Sequence, residues 1–188
     1  MGTRIALVRH GETDWNAEGR LQGQTDIPLN GAGRDQAETA ARELERLGHD
    51  GGAWDLLVSS PLGRAVETAS IIGDRLGLHA IAPVEGLQER HYGAGEGRVV
   101  AGMDRATLDA LLATAEPEAE VVDRAVQALR GIVCAHPGTK MIVVAHGTLI
   151  RLLVGSLRGV VHPRVLNGEV VEVDADLLAA PVPAGAPG

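Results

Sequence analysis

Phenylalanine is missing altogether, and one Tyr and two Trp are the only other large aromatic residues in a chain of 188. A core must therefore be packed from Val, Leu, Ile and Ala. The hydrophobic content of 45% is ample for that, and at this length one compact domain, expected over residues 1–178, can bury it. Cysteine is nearly absent too. Cys134 stands alone, which excludes an intramolecular disulfide and any zinc site that needs two cysteine ligands. No run of Lys and Arg occurs and the formal net charge is -8, so nucleic acid, bound largely through cationic contacts to phosphate, is not an expected partner. A small anionic substrate stays open, because a few focused cations in a cleft can outweigh a diffuse negative surface. Nor is there a long hydrophobic stretch. The chain runs straight into the short apolar segment Ile5 to Val8, so neither a signal peptide nor a membrane span is read, and a cytoplasmic location is expected.

What is present is a regular alternation. Ile5 to Val8, Leu56 to Val58 and Met141 to Ala145 are short, continuously apolar runs, as in strands buried on both faces. Each leads into a segment of helical periodicity. Asn30 is placed to cap a helix whose inner face is Ala37, Ala41, Leu44 and Leu47, with Gly48 as its expected stop. After Pro61 the positions Ala65, Ala69, Ile72 and Leu76 repeat the pattern, and Gly77 ends it. Val122, Val126, Leu129 and Val133 form a third apolar stripe, and Leu149 to Leu157 a fourth segment. The expected fold is α/β: a three-layer α/β/α sandwich on a mostly parallel central sheet. The stretch from Gly86 to Glu120 is irregular and is expected to be a small cap over the site, with a short helix at Leu108 to Leu112. The tail from Ala179 to Gly188, rich in Ala, Pro and Gly, is expected to be disordered. No internal repeat is present.

In such a fold the functional groups collect at the carboxyl ends of the strands. Those ends read Arg9-His10-Gly11, Ser59-Ser60-Pro61 and His146-Gly147-Thr148. A lone histidine there is usually structural. Here Arg9 precedes His10, a second imidazole ends another strand at His146, and Arg64 lies one helical turn beyond Ser60. Two histidines, two arginines and a carboxylate suit phosphoryl transfer, which consists mostly of positioning and of neutralising charge on equatorial oxygens. Arginine holds two such oxygens at once, and a neutral imidazole can attack phosphorus and carry the group covalently. One histidine would then be neutral and the other useful when protonated. The seven histidines, at 10, 49, 79, 91, 136, 146 and 162, contain no pair at the helical spacing of common zinc motifs. No metal and no cofactor are expected. His49 and His79 fall at helix ends, and His136 and His162 lie beside prolines in loops, as surface residues do.

These residues resemble the histidine phosphatase, or phosphoglycerate mutase-like, superfamily, branch 1. The resemblance rests on Leu7-Val8-Arg9-His10-Gly11-Glu12-Thr13-Asp14-Trp15-Asn16, on Leu21-Gln22-Gly23, and on Asp26-Ile27-Pro28-Leu29-Asn30. It continues through Ser59-Ser60-Pro61-Leu62-Gly63-Arg64-Ala65, Glu67-Thr68-Ala69, Leu87-Gln88-Glu89 and Val143-Val144-Ala145-His146-Gly147. The resemblance implies a phosphoglycerate mutase-like fold with His10 as phosphoryl acceptor. Arg9, Arg64 and His146 would form a cationic pocket around it, and Glu89 would be the proton donor. An alkoxide departs poorly unless protonated, and the same carboxylate can then activate water. Asn16 matches a family residue that reaches phosphate through its amide, and Gln22 and Gly23 match substrate contacts. Gly147 and Thr148 would offer backbone N–H groups at a helix start. Turn chemistry for Gln22 and Gly23 and helix capping for Thr148 are the plain alternatives.

Glu89-Arg90-His91-Tyr92-Gly93 resembles cofactor-dependent phosphoglycerate mutases more than many phosphatases. Against that reading, the Lys that mutases carry further on aligns with Val99 or Val100, and their paired cap arginines have no clear match, Arg105 and Arg124 being isolated. A mutase must also shield its phosphohistidine from water, for which this cap is short. The expected function is metal-independent hydrolysis of a small phosphomonoester, with a mutase or dual activity as the alternative. A phosphoprotein phosphatase is a further reading, in which Tyr92 and His91 either stack on a substrate ring or fill the cap. A non-catalytic phosphate-binding protein would have lost His10 or Glu89 while keeping Arg9 and Arg64, and all four are present.

Overall fold

The computed structural model describes residues 3–179. Strand β1 (Arg4–Arg9) is followed by the short helix α1 (Asp14–Ala17) and the long helix α2 (Gly31–Gly51), then by β2 (Leu56–Ser59) and α3 (Gly63–Leu76). After an irregular segment come α4 (Arg105–Leu111), α5 (Glu118–Ala135), β3 (Met141–Ala145), α6 (Gly147–Arg158), β4 (Val170–Asp174) and α7 (Asp176–Ala179). The strands form one sheet in the order β2-β3-β1-β4. The first three are parallel, and β4 pairs antiparallel with β1. The sheet is thus mixed and mostly parallel, with helices on both faces.

Strand alternation divides the core in two. Ile5, Leu7, Val58, Met141 and Val143 point to one face, where they meet Val121, Val126 and Leu129 of α5 and Leu149, Leu153 and Val154 of α6. Ala6, Val8, Leu57, Ile142 and Val144 point to the other, against Ala40, Ala41 and Leu44 of α2 and Ala65, Ala69 and Ile72 of α3. Each fully buried Leu or Ile contributes about 1.5–3 kcal/mol relative to exposure. The alanines on α2 and α3 replace bulk with close approach, which is how a core without Phe closes.

The helix ends show where local sequence decides and where packing overrides it. Asn30 caps α2 by accepting from Gly33 N–H at 2.8 Å, and Gly77 ends α3 in the left-handed region at φ 68°. Gly48 does not stop α2, which continues to Gly51. A Cβ at Gly48 would rest in ordinary contact with the indole of Trp54, so the helix runs on past this glycine. The cap helix starts earlier than Leu108, at Arg105, because Asp104 caps it through Thr107 N–H. The last residues of the expected cap, from Glu118, already belong to α5. Strand β4 and helices α1 and α7 were not anticipated. Ala179 closes α7, and the remainder of the tail expected to be disordered lies outside the described residues. Among the described residues, no helix is long and apolar enough to cross a membrane.

Two glycines pin the β1 loop to α2. A Cβ on Gly11 would sit 2.1 Å from the carbonyl oxygen of Gly33, and one on Gly33 would sit 2.1 Å from that of Glu12. Backbone meets backbone here, so no side chain can yield. Gly11→Ala is expected to lower stability by about 3 kcal/mol, the upper end of the usual overpacking cost, read as a fall in the urea midpoint. An unchanged midpoint would mean the loop carrying His10 is free to shift.

Candidate active site

The carboxyl ends of the parallel strands bring the five expected residues together. His10 follows β1, Arg9 ends it, Arg64 is in the first turn of α3, and His146 follows β3 as the N-cap of α6. Arg64 and His146 are completely buried, and Arg9, His10 and Glu89 nearly so. The His10 and His146 rings lie edge to face with centroids 5.1 Å apart. Buried charges of this density are rare unless something compensates them.

The hydrogen bonds define the state of His10. Its Nδ1 lies 2.7 Å from the carbonyl oxygen of Gly11. A carbonyl only accepts, so Nδ1 carries the proton and Nε2 the lone pair. Nε2 in turn accepts from Arg64 Nε at 3.2 Å. Burial, then the charges of Arg64 and Arg9, push the His10 pKa well below the ordinary histidine value, against the opposing pull of the Gly11 carbonyl. His10 is therefore neutral at pH 7.

His146 departs from the expectation of one neutral and one protonated ring. Burial and the charge of Arg64, followed by His10 and Arg9, hold its pKa well below the ordinary value too. Two imidazoles among two guanidinium groups cannot readily add a third positive charge; a phosphate dianion against them would act in the opposite direction. The Nε2 of His146 contacts the Ser60 hydroxyl at 2.7 Å.

Arg64 is held by backbone. It donates to the carbonyls of Thr25 at 2.9 Å and Gly23 at 2.6 Å, with Asp26 3.8 Å away. Burial lowers its pKa to about 10, with Glu89 and Asp26 opposing, so it stays charged. Arg9 donates to the Val165 carbonyl at 2.8 Å, and burial lowers its pKa as well. Gly23 accepts that bond from Arg64 with φ 57°, and a side chain on it would strike the Glu96 carboxylate. Glu96, a residue the sequence reading passed over, accepts from Gln24 N–H, from Thr25 through both its N–H and its hydroxyl, and from Tyr92 N–H. These bonds outweigh burial and leave its pKa below the usual carboxylate value.

Glu89 reaches the site from a segment anchored by the fully buried Leu87. Its carboxylate accepts from the N–H groups of Thr148 and Leu149, each at 3.0 Å, and of Arg90 at 2.9 Å. The Glu89 carboxylate thus sits on the positive end of α6. The Thr148 N–H is turned to Glu89, while its hydroxyl meets Tyr92 Oη at 2.5 Å. Gly147 opens α6 against Arg9, where a Cβ would lie 3.0 Å from Arg9 Nε. Tyr92 is buried beneath the Arg90 guanidinium, which lies 5.6 Å from the ring centre, so it fills the cap. Burial raises its phenol pKa. Asn16 donates to Gln22 Oε1 at 3.3 Å.

Among the described residues, the buried side-chain polar atoms with no hydrogen-bond partner are Arg9 Nε, Gln22 Nε2, His146 Nδ1 and Glu172 Oε1. The last is ion-paired with Arg4. The other three are nitrogens of residues in the expected phosphate pocket. No group of three or more His, Cys, Asp or Glu able to hold a metal ion occurs among the described residues.

The strand ends gather two histidines and two arginines into one buried cationic pocket, and Glu89 caps a helix beside it. The chain belongs to the histidine phosphatase superfamily (branch 1), whose model matches residues 5–173. It is 38% identical over 157 residues to the uncharacterized phosphatase PhoE of Bacillus subtilis, covering 84% of this chain and 78% of that one. It is 32% identical over 167 residues to a probable phosphoglycerate mutase GpmB of Serratia proteamaculans, covering 83% and 75%. Its fold is similar to that of a mycobacterial glucosyl-3-phosphoglycerate phosphatase solved with VO3, with TM-score 0.78 and 30% identity over 90% of this chain and 92% of the other.

Proposed function

We propose that the chain is a metal-independent hydrolase of a small phosphomonoester, acting through a phosphohistidine on Nε2 of His10. The observation that carries this reading is the set of three partnerless buried nitrogens, on Arg9, Gln22 and His146, beside a neutral histidine with its lone pair on Nε2. Leaving a buried donor unmade costs roughly 1–3 kcal/mol, and a tetrahedral dianion would accept from Arg9 Nε and Gln22 Nε2, and from His146 Nδ1 in the tautomer that carries its proton there. Nε2 attacks phosphorus as the ester oxygen departs with a proton from Glu89. Water then attacks the phosphohistidine and gives a proton back to Glu89, and inorganic phosphate leaves. Arg9 and Arg64 neutralise the equatorial oxygens throughout.

Hydrolysis is favoured over isomerisation by the engagement of Arg105 in the cap and of Arg124 on α5. Arg105 is exposed and paired with Asp109, and Arg124 is committed to Glu116 and to backbone carbonyls. Neither is available to hold a substrate carboxylate. In a panel of metabolite phosphates, release of inorganic phosphate is expected to persist in excess chelator, with one acid-labile phosphoryl group trapped per chain by rapid quench. Conversion of 3-phosphoglycerate to the 2-isomer faster than its hydrolysis, with 2,3-bisphosphoglycerate present, would instead identify a mutase.

A further inference from the structure

The loop between α6 and β4 passes over the end of β1. Gly168 N–H donates to the Arg9 carbonyl at 3.0 Å, and Arg9 N–H to that of Glu169 at 3.1 Å. These bonds carry the antiparallel pairing beyond the strand and hang the half-buried side chain of Asn167 against the His10 backbone. Asn167 Nδ2 donates to the His10 carbonyl oxygen at 3.1 Å and to Asn16 Oδ1 at 3.1 Å.

The chain of amides that follows has only one consistent direction. The His10 carbonyl can only accept, which turns the NH2 of Asn167 inward. Asn16 Oδ1 also receives the backbone N–H of Thr13 at 3.3 Å, and a backbone N–H can only donate. The other end of Asn16, Nδ2, must then donate to Gln22 Oε1 at 3.3 Å. That oxygen also takes the Thr13 hydroxyl proton at 3.0 Å, the hydroxyl oxygen having accepted Asn16 N–H. The outcome is Gln22 Nε2, buried and partnerless. Reversing any one amide would set donor against donor or oxygen against oxygen at its own contacts.

We propose that Asn167 is a positioning residue that fixes Gln22 as a hydrogen-bond donor to the substrate phosphoryl group, acting through Asn16. This rests on the phosphate-site reading above. Asn167 touches no reacting atom. Its effect is to settle which end of Gln22 faces the anion, and an oxygen there would repel phosphate where a nitrogen attracts it.

The test is a double-mutant cycle read by inorganic phosphate binding in calorimetry, alongside kcat/KM on an aryl phosphate. Asn167→Asp puts oxygen where NH2 stood, against the His10 carbonyl and Asn16 Oδ1. In the wild-type background it is expected to weaken phosphate binding and kcat/KM by about tenfold to a hundredfold, the size of one hydrogen bond to a charged group. With Gln22→Leu already present, the same change is expected to cost less than about twofold, because coupled residues do not add. Equal losses in the two backgrounds, or unchanged phosphate binding, overturn the proposal. Asn167→Ala, which removes the donors without adding charge, gives the same comparison if the aspartate variant does not fold. Failure of both to fold makes Asn167 merely structural and also overturns it. Wild-type protein that binds no phosphate overturns the pocket reading itself, a result distinct from additivity.

Discussion

His10→Ala is expected to reduce kcat/KM for any phosphomonoester by on the order of 10⁴-fold or more, and to abolish the phosphoenzyme trapped by rapid alkaline quench. Removal of a covalent nucleophile is among the largest single effects known in enzymes, because the remaining groups then act without the intermediate they serve. The variant leaves Gly11 O and Arg64 Nε without their imidazole partner, so some stability is lost. Phosphate binding should nevertheless survive, since Arg9, Arg64 and Gln22 remain. That retained binding separates loss of chemistry from loss of fold. Hydrolysis at the wild-type rate would end the phosphohistidine mechanism. The same residue sets the acid limb of the pH profile. Protonating His10 removes the attacking lone pair, and burial with Arg64 and Arg9 holds its pKa well below the ordinary 6.5. Once corrected for ionisation of the substrate, kcat/KM should stay high as pH falls past 6.5 and decline only at lower pH. A decline centred at or above 6.5 would contradict the electrostatics described for this pocket.

The second large effect is that of Glu89→Gln, which is expected to depend on the leaving group. An alkyl phosphate needs its departing oxygen protonated, so phosphorylation of His10 should slow by roughly 10²- to 10⁴-fold, the usual range for general acid catalysis. A nitrophenyl ester needs no such help, and its first step should slow by less than about tenfold. Hydrolysis of the phosphohistidine still wants a base, so the variant should release about one equivalent of nitrophenolate in a burst and then stall. Equal slowing of the first step for both esters, with no burst, would remove Glu89 from the chemistry. The substitution also sets an amide NH2 against the helix N–H groups that the carboxylate accepts. The thermal midpoint must therefore be measured beside the kinetics.

The parallel strands and main helices were legible because a strand buried on both faces and an amphipathic helix both write their surroundings into hydrophobic pattern. Strand β4 was not. Only Val171 and Val173 of its five residues are buried, and its alternation with Glu172 is too short to stand out, although the Asn167-Gly168 turn before it offered a signal. The cap resisted for another reason. It is built from short 3-10 turns at Glu85–Leu87, Gly93–Gly95 and Leu112–Thr114, which have no sustained period to read. Arg9, His10, Arg64, Glu89 and His146 could be named because strand ends and motifs mark them. Asn167 could not, since a backbone carbonyl is half of its argument and backbone partners leave no trace in side-chain identity. Whether His10 or His146 carries a charge was not legible for a related reason: how many cations share one desolvated volume is a property of three dimensions.

Arg124 leaves none of its five guanidinium N–H groups idle. They are spent on the carbonyls of Gly86, Gln88 and Glu89 and on both oxygens of Glu116. One side chain from the framework therefore rivets the segment that carries Glu89, and swinging that segment would break the three bonds to its carbonyls together, while Glu116 holds the guanidinium in place. The Glu89 carboxylate is in register before any ester arrives. Such an enzyme forgoes the proofreading that comes when only the right molecule can trigger closure. In the proposed mechanism the choice among phosphorylated substrates would fall to the fit of the non-reacting end, and a catalyst built this way would tolerate many such ends.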